Sequence, residues 1–435
     1  MDISVIILAA GEGTRMKSNK PKVLHKISGQ SMLTHIIKKA KTISNDVRVV
    51  LGFGFDEVKS EIESNFSDVK IFKQDIINFP GTAGAVGVAL DNIKSQKTII
   101  SCGDMPLIEI NELENLAKST ANLSLSAFKS DNPFGYGRVI TDGAKVIKIV
   151  EQKDANDDEK KVNLCNAGAY CFDTNLLCEI LPQISNQNAS KEYYLTDAIQ
   201  IALKLGKIVD FTLVSEENFM GVNDKFALSK AEIIMQNKIK ANLMKNGVIM
   251  HFPDTIFIDS RAKFDGECEI EPNVMIMGNC EISNSHIKAN SVIEDSFIKN
   301  SDVGPNAHLR PKSHITDTHI GNFVELKNAK LNGVKAGHLS YLGDCEINEG
   351  TNIGCGTITC NYDGIKKYRT TIGKNVFVGS DTQFVAPVTI ADNTIIAAGS
   401  TITKNSNEGD LLIARSRQSN ISGYFYKHFE KKNEK

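Results

Sequence analysis

Residues 8–22 read L-A-A-G-E-G-T-R-M-K-S-N-K-P-K, and they hold the first chemistry that the chain offers. Gly11 and Gly13 leave backbone amides bare directly after a short apolar run, and Arg15 and Lys22 follow. Exposed amides approach phosphate oxygens closely, and two cations can neutralise a polyphosphate. The pattern is not a dinucleotide fingerprint, because the third glycine of G-x-G-x-x-G falls on Met16. No G-K-[ST] follows to make a Walker loop. A second polar cluster lies far along the chain: Arg310, Lys327, His338, Tyr341, Asn352, Asn361 and Tyr362. It includes a histidine, the side chain that titrates in the range a general base needs at neutral pH.

The elements that must position these groups divide the chain in two. Its 435 residues exceed one ordinary core. With 41% hydrophobic and 23% charged residues it is of the globular class. A net charge of −2 argues against a nucleic-acid binder held by bulk charge, so an anionic ligand must meet local cations. The amino-terminal residues read as no secretory signal, and no run is long enough to span a bilayer. Nine scattered cysteines without a C-x-x-C pair suggest buried free thiols in a reducing cytoplasm.

Through residue 223, β-branched runs at 5–8, 47–51, 69–72 and 98–101 alternate with helical stretches at 31–43, 56–65 and 82–94. Strands separated in this way predict βαβ units and a mostly parallel sheet that binds ligands at its carboxyl edge. Residues 11–13, Gly103-Asp104 and the glycine turn at 135–137 are candidates to converge there. Residues 224–247 read as a helix capped by Asn223 or Asp224 and stopped by Gly247, either a packing helix or a connector. From 248 to 435 the texture changes. Apolar residues recur every sixth position at Ile258, Phe264, Ile270, Ile276 and Ile282, slip, and run cleanly again from Ile372 to Ile402. A period of six is the mark of a hexapeptide parallel β-helix. Residues 359–369 break it and must loop out. The repeat fades from about 404, and the final K-K-N-E-K is expected to be disordered.

L-A-A-G-E-G-T-R-M followed by P-K-V-L-H resembles the sugar-phosphate nucleotidyltransferases. The likeness extends to Gly81-Thr82, Gly103-Asp104, G-Y-G-R at 135–138, V-E-Q-K-D-A at 150–155, Asn166 and G-V-N at 221–223. In the second half, G-N-F-V-E-L-K-N-A-K, K-A-G-H-L-S-Y-L-G-D and N-I-G-C-G-T-I-T-C-N-Y-D-G resemble an acetyltransferase coil. Together they resemble the bacterial bifunctional N-acetylglucosamine-1-phosphate uridylyltransferase/glucosamine-1-phosphate acetyltransferase family. This implies a Rossmann-like nucleotidyltransferase domain followed by a left-handed β-helix. Two departures stand out. The family commonly has G-T-G-H-A where this chain has Gly81-Thr82-Ala83-Gly84-Ala85, and Gln74 lies about two residues farther from Gly81 than in the family.

The resemblance implies roles. Asp104 and Asn223 would hold Mg²⁺, and Arg15 and Lys22 would stabilise the triphosphate of UTP. Leu8, Ala9, Ala10, Gly11, Gln74, Gly81, Thr82 and Gly103 would surround the nucleotide. Gly137, Glu151 and Asn166 would contact N-acetylglucosamine 1-phosphate. His338 would be the base for acetyl transfer, with Glu325 or Asn361 orienting it. Arg310, Lys327, Tyr341 and Asn352 would hold glucosamine 1-phosphate. Cys355, Asn361, Tyr362, Ser380, Ala398 and Arg415 would line the acetyl-CoA groove. The resemblance further implies a cytoplasmic homotrimer with acetyltransferase sites between subunits, and no nucleic-acid or membrane partner. On sequence alone three other readings stay open: a nucleotidyltransferase whose coil only oligomerises or regulates, a non-enzymatic solenoid binding protein, and a transferase for another base or sugar.

Overall fold

The computed structural model describes residues 2–143, 145–188 and 190–430. The expectation for the final K-K-N-E-K falls outside the described residues. The chain forms two compact units, Met1–Lys238 and Ile239–Lys435.

The first unit is built on one sheet. Its strands run in the order Val209–Leu213, Leu123–Lys129, Leu164–Asp173, Lys97–Cys102, Ile3–Ala9, Asp46–Leu51, Lys70–Lys73. All are parallel to their neighbours except Leu164–Asp173, which runs antiparallel to both of its own. The hairpin Arg138–Asp142/Lys145–Val150 joins that strand at Cys165↔Arg138. Alternation along Ile3–Ala9 sends Val5, Ile7 and Ala9 into one core and Ile6 into the other. Helices Met32–Ile43, Phe55–Asn65 and Ile110–Lys118 cover the first face, and Thr82–Val88, Thr174–Ile180 and Asp197–Lys204 cover the second.

The helix expected over 82–94 stops at Val88. The chain then turns, and buried Arg48 holds that turn: its guanidinium donates to the carbonyls of Ala89 (2.9 Å), Asp91 (2.6 Å) and Asn92 (3.2 Å). Buried carbonyls outside regular structure need such partners. The long helix spans Lys225–Lys245. Asp224, not Asn223, caps it, accepting from Ala227 N at 2.8 Å, and Gly247 follows with φ 100°. The division between the two units falls inside this helix, at Lys238/Ile239.

The second unit is a left-handed parallel β-helix. Three ladders of two- to four-residue strands stack along it, each strand pairing with one a full coil later. The inward column is apolar and closed, with Ile258, Ile276, Ile293, Leu309, Leu326 and Leu342 all fully buried. Each such side chain contributes about 2 kcal/mol of burial. The slip in the six-residue period now has a cause. Between Ile282 and Ile347 several sides of the coil are one residue shorter, so Ile282 pairs with Ile298 where Ile258 pairs with Ile276. Asparagines turn many corners in the left-handed region, among them Asn273, Asn290 and Asn306, a conformation that asparagine tolerates. The break at 359–369 is an insertion. Ile347 pairs with Ile372 across it, and a short bridge, Tyr362↔Lys367, closes it into a hairpin. The repeat outlasts residue 404 by one rung, because Leu411–Leu412 still pairs with Ile395–Ile396.

Candidate functional site

Strand Ile3–Ala9 lies between Lys97–Cys102, on one side, and Asp46–Leu51, on the other. Strand order reverses there, and a crevice opens beyond the carboxyl ends. The chain leaves Ala9 through the glycine turn. Gly13 has φ 68°, and a Cβ on it would lie 2.6 Å from Cβ of Lys22. The bare glycine thus lets Lys22 cross the turn. Met16, Val23 and Leu24 are buried and anchor the two short 3-10 turns that carry Arg15 and Lys22.

The charged groups meet at one point. Nζ of Lys22 donates to Oδ2 of Asp104 and, at 3.1 Å, to Oδ1 of Asn223. Nη2 of Arg15 donates to the same Asn223 oxygen at 2.8 Å. Backbone bonds hold the two acceptors in place: Gly103 N to Leu8 O at 2.8 Å, and Val222 N to Asp104 O at 2.9 Å. One carboxylate and one amide oxygen therefore converge on a cation position, which the Lys22 ammonium fills. Among the described residues no group of three or more His, Cys, Asp or Glu side chains could hold a metal. A divalent ion held by these two oxygens would take its remaining ligands from phosphate and water, as suits a hard cation such as Mg²⁺.

Beside this point lies a cavity of about 430 Å³, lined by Leu8, Ala9, Ala10, Gly11, Lys22, Gln74, Gly81, Thr82 and Asp104. Buried Gln74 donates through Nε2 to the carbonyls of Phe79 and Gly81, both at 2.9 Å, which leaves its Oε1 as an acceptor. The extra residues after it are tied into a turn, where Oδ1 of Asp75 accepts from Ile77 N (3.1 Å) and Asn78 N (3.0 Å). The departure in spacing is thus absorbed in a loop, and Gln74 stays at the cavity wall. Gly81 has φ 96°, and a Cβ there would meet Tyr193 O at 2.7 Å.

A second cavity of about 340 Å³ is lined by Glu151, Asn166, Gly168, Tyr170 and Tyr194. Leu8, Thr82, Cys102 and Glu192 line both, so these are two compartments of one cleft. Asn166 donates to Tyr170 Oη at 2.7 Å and accepts from Gly168 N at 3.1 Å. Gly137 accepts from Asn166 N at 2.8 Å, and a Cβ on it would come within 3.4 Å of the Glu151 carboxylate; its neighbour Gly135, rather than Gly137, lines the cavity. Burial first, then Asp154 and Asp197, raise the Glu151 pKa. Burial, with Asp104 nearby, pushes the Cys102 thiol up to about 12, so it faces the cleft uncharged. Sequence reasoning missed Cys102 and Glu192. The signal for Glu192 was the E-Y-Y run at 192–194, polar and aromatic residues in a stretch without periodicity.

In the β-helix, Arg310, Lys327 and Tyr341 share one ladder, with Glu325↔Tyr341 and Lys327↔Gly343 in register. Gly343 leaves room for the phenol, since a Cβ there would lie 2.4 Å from Tyr341 Oη. Nη1 of Arg310 donates to Oε1 of Glu325 at 2.9 Å. Lys367, in the inserted hairpin, stands beside Lys327 and depresses its pKa, with Arg310 adding to the effect. Glu325 pairs with Arg310 and Asp344 acts on Lys327 in the opposite sense, yet the two lysines still repel each other. Sequence reasoning singled out this loop and named Asn361 and Tyr362 from it, but missed Lys367.

His338 is exposed at a corner that the next coils repeat. Gly356 N donates to Leu339 O (3.2 Å), Asp381 N to Cys355 O (2.8 Å), and Gly399 N to Ser380 O (2.8 Å). Nη1 of Arg415 donates to Ala398 O at 2.8 Å. Cys355, Ser380, Ala398 and Arg415 thus rise in a column from His338. Asn361 and Tyr362 lie one corner on, past strand Ile358–Cys360. Asn352 starts a strand of the ladder that carries His338, paired with Lys335 and Phe377, away from the ladder of Arg310 and Lys327. Neither expected partner orients the imidazole within the chain. The Glu325 carboxylate is taken by Arg310, and the Asn361 amide donates to Oδ2 of Asp344 at 2.5 Å.

Comparison with known proteins adds family membership to this geometry. Residues 5–139 match the MobA-like NTP transferase domain, and residues 369–404 match the bacterial transferase hexapeptide (six repeats). The chain is 69% identical over 434 residues to the "Bifunctional protein GlmU" of Campylobacter fetus subsp. fetus, covering 100% of both chains. It is 63% identical to the protein of that name from Campylobacter hominis, covering 99% of each, and 56% identical to that of Aliarcobacter butzleri, again covering 99% of each. A nucleotide-transferring sheet and a hexapeptide coil on one chain, matched end to end by these relatives, place the protein in the bifunctional GlmU family.

Proposed function

We propose that the β-helix acetylates glucosamine 1-phosphate from acetyl-CoA, and that the first unit then couples N-acetylglucosamine 1-phosphate to UTP. The products are UDP-N-acetylglucosamine and pyrophosphate, with cell-wall and lipopolysaccharide precursors as the downstream use. The observation that carries the uridylyl site is the single cation position shared by Asp104, Asn223 and Lys22 at the mouth of a two-compartment cleft.

The sugar phosphate is already anionic at neutral pH, so no protein nucleophile is needed. Its oxygen attacks the α-phosphorus of UTP, and the bond to pyrophosphate breaks. Catalysis is then positioning and charge stabilisation. Mg²⁺ held by Asp104 and Asn223 supplies positive charge to the phosphates. Lys22 and Arg15 meet the triphosphate and its leaving group, beside the bare amides at Gly11 and Gly13. The free Oε1 of Gln74 accepts from a ring N–H, which uracil offers at N3 and cytosine does not. Glu151 and Asn166 receive the sugar in the second compartment.

For acetyl transfer, His338 takes a proton from the ammonium of glucosamine 1-phosphate. The freed amine attacks the thioester carbonyl, the C–S bond breaks, and the thiol of CoA leaves with a proton. Arg310, Lys327 and Lys367 hold the phosphate, and the column Cys355–Ser380–Ala398–Arg415 carries the length of acetyl-CoA. A homotrimer whose sites each draw on two copies, as the family resemblance implies, would let one site use Asn352 together with Arg310 and Lys327, which a single chain keeps on separate ladders. Among the described residues no helix is long and apolar enough to cross a membrane. The small-molecule substrates and the free thiols suit the cytoplasm.

Product analysis with glucosamine 1-phosphate, acetyl-CoA, UTP and Mg²⁺ tests this. Wild type should yield UDP-N-acetylglucosamine. His338→Ala should yield it only from preformed N-acetylglucosamine 1-phosphate, with acetyl transfer down by about a hundredfold or more. Equal acetyl transfer by mutant and wild type would remove His338 from the reaction.

A further inference from the structure

The two proposed metal ligands sit on separate stretches of chain, and their side chains do not fix each other. Asp104 lies in the segment that enters helix Ile110–Lys118, and Asn223 ends the segment that precedes helix Lys225–Lys245. Close to the cleft one backbone bond joins them, Val222 N to Asp104 O at 2.9 Å. A second set of bonds joins them farther off. Nζ of Lys238 donates to Oε1 of Glu109 at 2.7 Å, to Leu107 O at 3.4 Å and to Oδ1 of Asn218. Oε2 of Glu112 accepts from Nδ2 of Asn218 at 2.9 Å and from Glu109 N at 3.2 Å, and its Oε1 accepts from Ser215 N at 3.0 Å. Lys39, in helix Met32–Ile43, separately holds the Asp104 segment by donating to Pro106 O at 2.9 Å.

We propose that Lys238, through Glu109, Glu112 and Asn218, is a positioning residue that sets how far the Asp104 oxygen stands from the Asn223 oxygen. The inference rests on the reading that those two residues hold the divalent ion. Lys238 touches neither the cleft nor its ligands. Its side chain is 31% exposed and that of Glu109 41%, so this ion pair by itself adds little to stability. What it adds is geometry. Three acceptors, two from the Asp104 segment and one from the Asn223 segment, share one ammonium, and the helix bearing that ammonium is Lys225–Lys245, whose cap Asp224 follows Asn223. A site with two protein oxygens has no third ligand to correct their spacing, so its affinity for the ion depends on groups outside the ligand shell.

Lys238→Met in the full-length enzyme tests this. The half-saturating Mg²⁺ concentration for uridylyl transfer should rise about three- to tenfold, with kcat at saturating Mg²⁺ within about twofold. Acetyl transfer by the same chain should not change. In metal-free protein, amide hydrogen exchange over 215–223 should quicken. Lys238→Arg, which keeps several donors, should recover most of the Mg²⁺ response. An unchanged Mg²⁺ requirement, or a parallel fall in both activities, overturns the proposal. Asp104→Asn separates its failure from failure of the underlying reading. If Asp104→Asn leaves the Mg²⁺ requirement unmoved, the ligand assignment is wrong. If it raises the requirement and Lys238→Met does not, the positioning role alone is lost.

Discussion

The two units solve the same problem, gripping a phosphorylated sugar, in opposite ways. In the first, one chain brings its groups together: a reversal of strand order opens a cleft, and Lys22, Asp104 and Asn223 meet there within hydrogen-bonding reach. In the second, the groups are spread around a convex rod. Arg310, Lys327 and Lys367 share one face, His338 starts a column at a corner, and Asn352 lies on another ladder. A twisted open sheet encloses a ligand by its own topology. A solenoid coil has no inside for a ligand, since its centre is packed with Ile, Val and Leu. On the proposed reading, a second copy supplies the other wall.

The largest expected effect breaks the comparison at its simplest point. Asp104→Ala should lower uridylyl transfer by about a hundredfold or more, because on the proposed reading the ion would lose its carboxylate ligand. Acetyl transfer, assayed on the same preparation, should be untouched. A loss of both would mean that the two sites are not independent.

A mixing experiment sharpens the contrast. Lys327→Ala and Asn352→Ala are each expected to cripple acetyl transfer. If a site takes these residues from different copies, random reassembly of an equal mixture returns about a quarter of the sites intact. Recovery near that level supports a shared site, and none at all would place both residues in a single chain's pocket. Uridylyl transfer should stay at the wild-type level in every mixture.

Alkylation of Cys355 should have a smaller effect, slowing acetyl transfer by about two- to tenfold while sparing uridylyl transfer. A bulky adduct in the His338 column crowds the thioester without removing a reacting group. Modified Cys355 with full acetyl transfer would take that residue out of the groove.

The smallest effect concerns stability. Burial pushes the Lys39 ammonium down to about 8. From about pH 8 towards 10.5 the unfolded chain therefore holds a proton that the folded one has shed, and this group's contribution to stability grows with pH. The urea midpoint of the first unit should rise more between pH 7.5 and 9 in wild type than in Lys39→Met. Equal slopes would assign Lys39 an ordinary pKa.

Much of the fold could be read from the residues because it repeats or alternates. Ile258 to Ile282 declare the coil by spacing alone. The stretch from Ile282 to Ile347 hid it, since a side shortened by one residue defeats a fixed period while leaving the inward column intact. Val5–Leu8 announced the central strand, and Gly11 and Gly13 announced the turn that follows it. Antiparallel Leu164–Asp173 gave no sign of its direction, which is set by neighbours far away in sequence. The turn after helix Thr82–Val88 is held by Arg48, also distant. In the site, the motif-borne residues of the first unit converge, whereas Lys367, Cys102 and Glu192 had no motif to mark them. The grouping of Asn352 apart from Lys327 follows from which ladder each rung joins, and residue identity does not encode that.

The stepwise build of the coil also decides which insertions and deletions it can survive. Removing a whole turn, such as the span from Ile258 to Ile276, leaves every later segment facing the direction it faced before. Removing only six residues there would rotate everything downstream by a third of a revolution relative to what precedes it. The hydrophobic lining would be preserved, yet the cations Arg310, Lys327 and Lys367 and the His338 corner would each be handed to the wrong side of the rod. The coil can therefore change length without turning these groups away from one another only in full revolutions, or in hairpins like 359–369 that leave and return at the same edge.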